Sequence, residues 1–260
     1  MRWFATNPAK AKTERLALVY SPIWMLLVAA VMFSGAFRGW GELEHLALGV
    51  GLALPVFLFP IVLPDETERA LPLAQRHGFR WAALLLVFSL LQNYFGARLF
   101  FERFGMEYHF RVRWIANGTP IFLYFMTVAY FATYYALMQI GWRVFRTRFP
   151  SAPRAAAVLV RAALSYAMAF GETAAMANRH LSGYFSYSDP AFVMLWGSFA
   201  YGTIFFLTLP LFARLDEEGA QAEATRKRPL GKVMWDLLAL NCLCFVTHEA
   251  WSIVLAMAGH

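Results

Sequence analysis

The stretch LALVYSPIWMLLVAAVMFSGAF at residues 16–37 decides how the rest of the chain is interpreted. It contains no charged residue, and about 20 apolar residues are enough to cross a bilayer as a helix. It is longer than the apolar core of a signal peptide and has no small-residue cleavage site. We therefore expect a membrane-spanning helix here rather than a leader.

Six further stretches have the same apolar character, and the composition of the whole chain is also that of a membrane protein. Hydrophobic residues make up 60% of its 260 residues and charged residues 15%, against roughly 25% in soluble domains. This composition argues against a soluble enzyme and excludes a disordered chain. We predict an all-α polytopic membrane protein in which residues 1–260 form a single transmembrane domain. The expected spans are 16–37, 43–63, 79–101, 119–142, 155–178, 191–213 and 233–258.

The basic residues predict the orientation of these spans. Seventeen of the 23 Lys and Arg residues fall in the N-terminal segment and near the loops after the second, fourth and sixth spans. Cytoplasmic loops carry this excess, so we expect the N-terminus to be cytoplasmic. The net charge of +7 is then explained by topology and anionic lipid headgroups, and no nucleic-acid partner is expected.

Several local features carry expectations of their own. The second span is expected to end at Pro60 and Pro64, and the sixth at Pro210. The aromatic and charged loop 102–118 is long enough to fold back as a lid, and Arg98 and Glu102 are spaced to pair at its start. The polar segment 216–229 is expected to be a mobile loop.

Ionisable residues inside a membrane are costly, so each is a candidate for function. Glu172 lies deep in the fifth span between apolar neighbours. Burial disfavours the charged form of a carboxyl group, and a neutral carboxylic acid in an apolar site is a proton donor. The alternative is a structural hydrogen bond between helices without any chemistry, and the residues alone leave both interpretations open.

Other polar side chains within the predicted spans are weaker candidates. His248 and Glu249 are adjacent, so on a helix they face directions about 100° apart, and one of them is expected to line a cavity while the other meets the headgroups. Aromatic residues within the spans either belong to the interface belts or line a cavity. The remaining candidates are Asn93, Tyr94, Tyr130, Tyr134, Asn178 and Trp251.

The sequence contains no recognisable motif for a cofactor or a metal ion. The last span contains no lysine for a retinal Schiff base, and the chain has no glycine-rich phosphate loop and no histidine cluster. Cys242 and Cys244 lie in an apolar run, where neither a disulfide nor a zinc site is expected. We expect no metal and no cofactor.

Four blocks of sequence, in order along nearly the whole chain, resemble the cycloeucalenol cycloisomerase family, the cyclopropylsterol isomerases of sterol synthesis. They are residues 5–24 (ATNPAKAKTERLALVYSPIW), residues 93–95 (NYF) followed by Phe100 and Phe101, residues 164–178 (LSYAMAFGETAAMAN) and residues 209–217 (LPLFARLDE). The Ala- and Arg-rich composition suggests a bacterial member, which would lie in the inner membrane. A eukaryotic member would lie in the endoplasmic reticulum.

The resemblance implies an isomerase that opens the 9,19-cyclopropane ring of a cyclopropyl sterol to give a Δ8 sterol. On this basis Glu172 is the expected proton donor, and Glu249, together with His248, is the expected base or second acid. Tyr94 is expected to relay protons. Residues expected to position the sterol are Asn93, Asn178, Tyr130, Tyr134 and Trp251.

Two rival functions remain open from the sequence. A sterol double-bond isomerase, acting between Δ8 and Δ7 alkenes, would use the same acid–base chemistry. A sterol- or lipid-binding protein without turnover would use the same polar residues as hydrogen-bond anchors. Partners are expected to be the sterol and membrane lipids, and the sequence does not determine the oligomeric state.

Overall fold

The computed structural model of the protein describes residues 1–217 and 229–259. In that part of the chain, seven helices are long and apolar enough to cross a membrane, which confirms the predicted fold class and number of spans. They are α1 (Pro8–Phe33), α2 (Glu42–Val62), α3 (His77–Arg103), α4 (Ile121–Arg148), α5 (Arg154–Met176), α6 (Pro190–Arg214) and α7 (Leu230–Met257). The connections contain the strands β1 (Glu107–Tyr108), β2 (Ile115–Ala116), β3 (Thr119–Pro120) and β4 (Phe185–Ser186).

The helices differ from the predicted spans mainly at their ends. Helix α1 begins at Pro8, where the side chain of Asn7 caps it by accepting a hydrogen bond from the backbone of Lys10. Helix α2 ends at Val62, between Pro60 and Pro64, whereas α6 continues past Pro210 to Arg214, so the expectation that α6 ends at this proline was wrong. Membrane helices tolerate proline because neighbouring groups satisfy the backbone atoms that it leaves free.

Helix α4 is the centre of the bundle. It packs against α1, α2, α3, α5 and α6, and most of its side chains are buried. Its closest partner is α2, which approaches at Gly49, where an added Cβ would collide with the backbone of Phe122. The outer helices follow one another around α4 in the order α1, α2, α3, α7, α6 and α5. Helices α1 and α5 contact each other little, so the ring is open between them.

Buried charges hold one end of the bundle together. The ammonium group of Lys10 contacts Glu217 at 2.8 Å and donates to the carbonyls of Ala213 and Leu215 at the end of α6. Arg143 of α4 pairs with Glu217 and, at 2.6 Å, with Glu14 of α1. The sequence did not predict this cluster, because its charged residues lie far apart along the chain. We call the cluster the charged end.

The segment 216–229, expected to be a mobile loop, starts inside the protein. Asp216 is buried and pairs with Arg80 at 2.7 Å and with His77 at 2.8 Å. Glu217 belongs to the charged end. The expectation is therefore wrong for these two residues, and residues 218–228 lie outside the described part of the chain.

The loop 102–118 covers the opposite end of the bundle. Strand β1 pairs with β4, which lies in the connection between α5 and α6, in antiparallel register, and β2 pairs with β3. Phe110 packs against Phe37, Phe122 and Tyr184 and so fastens this loop to the bundle. The exposed pair between Arg98 and Glu102 is present at 2.6 Å, as predicted. We call residues 102–118 together with β4 the lid.

Candidate active site

A cavity of about 650 Å³ lies between the helices beneath the lid. Its lining is mostly apolar, and Met106 and Tyr108 of the lid form part of it. Small ligands typically bind in cavities of about 300–1,000 Å³. On the side where α1 and α5 lie apart, the cavity is bordered by Met25, Phe33 and Gly171, which are also exposed on the outer face of the bundle. A lipid-soluble ligand can therefore reach the cavity from the bilayer.

Glu172 of α5 projects into this cavity and is half-buried there. The hydroxyl group of Tyr201 on α6 donates a hydrogen bond to Glu172 Oε2 at 2.6 Å, and the Tyr134 hydroxyl on α4 faces the same carboxyl. Close packing of α5 on α6 makes this contact possible, since a Cβ at Gly202 would lie only 3.4 Å from the backbone of Tyr166. Three helices thus meet at one carboxyl group.

Three more phenols surround this carboxyl at longer range. Tyr130 belongs to α4, whereas Tyr108 and Tyr187 belong to the lid and to the connection that follows it. Burial raises the pKa of both Tyr108 and Tyr187 above the ordinary value, and Glu172 raises it further whenever its carboxyl group is ionised. These phenols therefore remain protonated at neutral pH and act as hydrogen-bond donors.

The walls near Glu172 are rich in aromatic rings. Trp24 stacks on Tyr130 with ring centroids 4.3 Å apart, and Phe100 meets Tyr201 edge to face at 5.8 Å. The faces of such rings attract a positive charge within about 6 Å. The cavity thus combines a weak acid with surroundings that tolerate a cation.

A second polar region lies on α3, α4 and α7. Helix α3 contains a π-helical turn at Gln92–Gly96, a widened turn that is frequent at functional sites. Asn93 donates to Thr127 on α4 at 2.7 Å, and both residues line the cavity. Gln92 donates to Asn241 of α7 at 2.8 Å. Because α7 packs on α3 and α6, whereas α5 packs on α4 and α6, this region and Glu172 lie on different walls.

A metal centre has no support in the described residues. Within residues 1–217 and 229–259, no three side chains of His, Cys, Asp or Glu come close enough together to hold an ion.

Comparison with known proteins supports a family assignment. The chain is 29% identical, over 258 residues, to the cycloeucalenol cycloisomerase of Arabidopsis thaliana. The match covers 97% of this chain and 89% of the relative. This similarity supports assigning the chain to the cycloeucalenol cycloisomerase family. This confirms the resemblance seen in the four sequence blocks and makes the protein an isomerase and a multi-pass membrane protein. No protein-family model and no solved structure matches the chain.

Six of the nine predicted site residues line the cavity. Asn178 lies at the end of α5, where its side chain bonds the backbone of Ala175 and His180 and so closes the helix. The structure brings these six residues to one space, although their roles there stay predictions. They are Asn93, Tyr130, Tyr134, Glu172, Asn178 and His248.

The other three predicted residues do not border the cavity. Tyr94 is 43% exposed and turns away with Phe95, while Glu249 is exposed and interacts electrostatically with Arg98. Trp251 packs at the edge of a small apolar cluster beside Leu255. The helical offset between His248 and Glu249 explains why only the histidine enters the cavity.

Several cavity residues were missed by the sequence analysis. Tyr201 lies in a span for which no polar candidate was named, and Tyr108 and Tyr187 lie in connections. The density of tyrosine around the lid was the only signal, and it did not indicate which ring points inward. The sequence left the aromatic residues of the spans open between interface belt and cavity, and the structure shows that Trp24 is buried and lines the cavity.

Proposed function

We propose that this isomerase opens the 9,19-cyclopropane ring of a cyclopropyl sterol and forms a Δ8 sterol. The Arabidopsis relative is named a cycloeucalenol cycloisomerase, so cycloeucalenol is the substrate to test first. The observation that carries the proposal is a carboxyl group held by phenols in an aromatic cavity that is open to the bilayer. A sterol partitions into the bilayer and reaches such a cavity without crossing water.

The reaction needs a proton donor and a proton acceptor. A proton adds to C19 as the bond between C9 and C19 breaks, which leaves a positive charge on C9. Loss of the proton on C8 then forms the double bond between C8 and C9. One proton enters and one leaves, so the sterol keeps its composition and its oxidation state.

Glu172 is the proton donor in this proposal. Among the described residues that line the cavity, it carries the only carboxyl group, and apolar surroundings favour its protonated form. After it has donated, its carboxylate is the base that accepts the C8 proton, while Tyr201 and Tyr134 stabilise the anion by hydrogen bonding. The residue thus ends each cycle in the form in which it began.

The aromatic walls lower the energy of the intermediate. Among the described residues that line the cavity, Glu172 is the only anion available to the positive charge at C9, and the rings of Trp24, Tyr130 and Phe100 stabilise a cation without capturing it. Exclusion of water by the apolar lining prevents the cation from being hydrated to an alcohol.

Single-turnover labelling in heavy water tests the proposal. Purified protein in lipid nanodiscs is equilibrated in heavy water and mixed with a smaller amount of cycloeucalenol, and the sterols are analysed by gas chromatography–mass spectrometry. We expect a Δ8 product with one deuterium in the C19 methyl group. Glu172→Gln removes the transferable proton and should reduce the rate by about 100-fold or more. Glu102→Gln, which only breaks an exposed pair with Arg98, is the matched control.

Three results would contradict the proposal. A product without deuterium in the C19 methyl group would exclude protonation by the protein. Full activity of Glu172→Gln would exclude this residue as the acid. Turnover of a Δ8 sterol to a Δ7 sterol, without any turnover of cycloeucalenol, would identify a double-bond isomerase instead.

A further inference from the structure

His248 is a buried polar side chain for which the described residues offer no partner. It is 6% exposed, lies on α7 and borders the cavity. Neither ring nitrogen has a hydrogen-bond partner within residues 1–217 and 229–259. A buried polar group without a partner is costly, so a polar atom of a ligand is the natural partner for this ring.

Gln92 presents a second such group beside it. Its Nε2 atom donates to Asn241, but its Oε1 atom is buried and has no partner among the described residues. Both groups lie next to Gly96. A Cβ atom added at Gly96 would collide with Gln92 Oε1 and would lie 3.5 Å from His248 Cε1. A donor, the imidazole N–H, and an acceptor, the amide oxygen, therefore lie side by side at the cavity wall.

The position of this pair matches the shape of a sterol. The pair lies on the wall formed by α3 and α7, whereas the opening to the bilayer lies between α1 and α5. Glu172 and its phenols lie on the α5 side. A sterol has one hydroxyl group at one end, a rigid ring system and an apolar tail at the other end.

We propose that His248 and Gln92 bind the 3-hydroxyl group of the sterol, which enters the cavity hydroxyl first. The hydroxyl donates to Gln92 Oε1 and accepts from the N–H of His248, which satisfies both groups. The ring system then lies along Glu172, and the tail extends towards the opening between α1 and α5. This inference rests on the proposed function, because it names how the same cavity orients that substrate.

Equilibrium binding in nanodiscs tests the anchor without requiring turnover. Tritiated cycloeucalenol and its 3-deoxy analogue are the two probes, and turnover of each is measured in parallel. For the unaltered protein we expect the 3-deoxy analogue to bind about tenfold more weakly, the loss of one or two hydrogen bonds. In His248→Phe and in Gln92→Met, the affinity for cycloeucalenol should fall by a similar factor. The difference in affinity between cycloeucalenol and its 3-deoxy analogue should then become smaller.

His45→Phe is the matched control for these variants. His45 is also buried with an unpartnered Nε2 among the described residues, but it packs on Phe37 and Phe122 and does not line the cavity. This variant should keep the full difference between the two sterols. Thermal melting of each variant shows whether it is folded, and Gln92→Met keeps the test valid if the aromatic replacement of His248 unfolds the protein.

The outcomes separate the anchor from the reaction. Equal binding of both sterols to the unaltered protein would overturn the anchor, even if cycloeucalenol is turned over. If His248→Phe and Gln92→Met lower the affinity for both sterols by the same factor, these residues have a purely structural role, and the anchor is overturned as well. Binding that depends on the hydroxyl, without any isomeric product, would support the anchor and contradict the proposed function.

Discussion

At the scale of single residues, the environment of Glu172 combines two opposing influences. The apolar cavity favours a neutral carboxyl group, whereas the hydrogen bond from Tyr201 favours the carboxylate. A general acid that also acts as the base must be able to exist in both forms. The phenols therefore make it possible for one residue to give up a proton and to take one back.

Tyr201→Phe tests this role of the phenol. The variant keeps a ring that packs on Phe100 and Phe205 but loses the hydrogen bond to Glu172. We expect kcat to fall about 10- to 100-fold, because a hydrogen bond to a charged group is lost, while KM changes little. Steady-state assays with cycloeucalenol in nanodiscs measure both constants.

Tyr135→Phe is the control for that substitution. Tyr135 is fully buried and bonds Thr208, but it does not line the cavity. The Tyr135→Phe variant should be less stable by about 1 kcal/mol and should keep the same kcat per folded molecule. Equal losses of kcat in the two variants would show that the Tyr201 hydroxyl acts through the fold alone.

At the scale of elements, the separation of α1 and α5 creates the entrance. Gly171 of α5 borders the cavity and is exposed, and a Cβ at this position meets no atom within 4 Å. Gly171→Trp should therefore fold normally but obstruct the entrance. We expect kcat/KM for cycloeucalenol to fall severalfold without a lower melting temperature, measured by steady-state assays and by thermal unfolding.

Gly51→Trp is the matched control for the entrance. Gly51 is likewise exposed on a membrane helix, α2, with free space around its Cβ position, and it does not border the cavity. The kcat/KM of the Gly51→Trp variant should equal that of the unaltered protein. If the two tryptophan variants behave alike, the sterol does not pass between α1 and α5.

At the scale of the whole molecule, the charged end makes stability depend on pH. Burial alone would raise the pKa of Glu217, but hydrogen bonds and charge from Arg143 and Lys10 outweigh it and lower the pKa from 4.5 to about 2. Because the pKa is lower in the folded state, the stabilisation is complete above about pH 4.5 and is lost as the pH falls towards 2. The loss is about 3 kcal/mol at most.

Thermal unfolding in detergent between pH 7 and pH 2 measures this dependence. The melting temperature should stay nearly level down to about pH 5 and then fall. In Glu217→Gln, which cannot titrate, we expect a lower melting temperature at pH 7 and a shallower fall in acid. A curve parallel to that of the unaltered protein would show that Glu217 does not contribute to the acid transition.

The distribution of basic residues also makes a prediction for the whole molecule, namely a cytoplasmic N-terminus. Ser151 and Ser182 flank α5 and are exposed at its two ends. After Cys242 and Cys244 are replaced by Ala, Ser182→Cys should react with an impermeant maleimide on intact cells, and Ser151→Cys only after permeabilisation. The reverse pattern would contradict the predicted orientation.

The fold class, the number of spans and the candidate acid Glu172 follow from the sequence, because each depends on local properties. An uncharged run of sufficient length forms a helix in lipid wherever it occurs, and a carboxyl group within such a run stands out. The start of α1 does not follow from the sequence in this way, because Lys10 and Glu14 interrupt its apolar pattern although both are buried in the structure.

The composition of the cavity depends instead on how the helices pack and rotate. Tyr201 meets Glu172 only because α6 packs closely on α5, and Glu249 is excluded because α7 turns His248 inward. These angles between helices arise from contacts between residues that are distant in the chain, and no local pattern in a single sequence records them. The open side between α1 and α5 is likewise a property of the ring of helices and not of either helix alone.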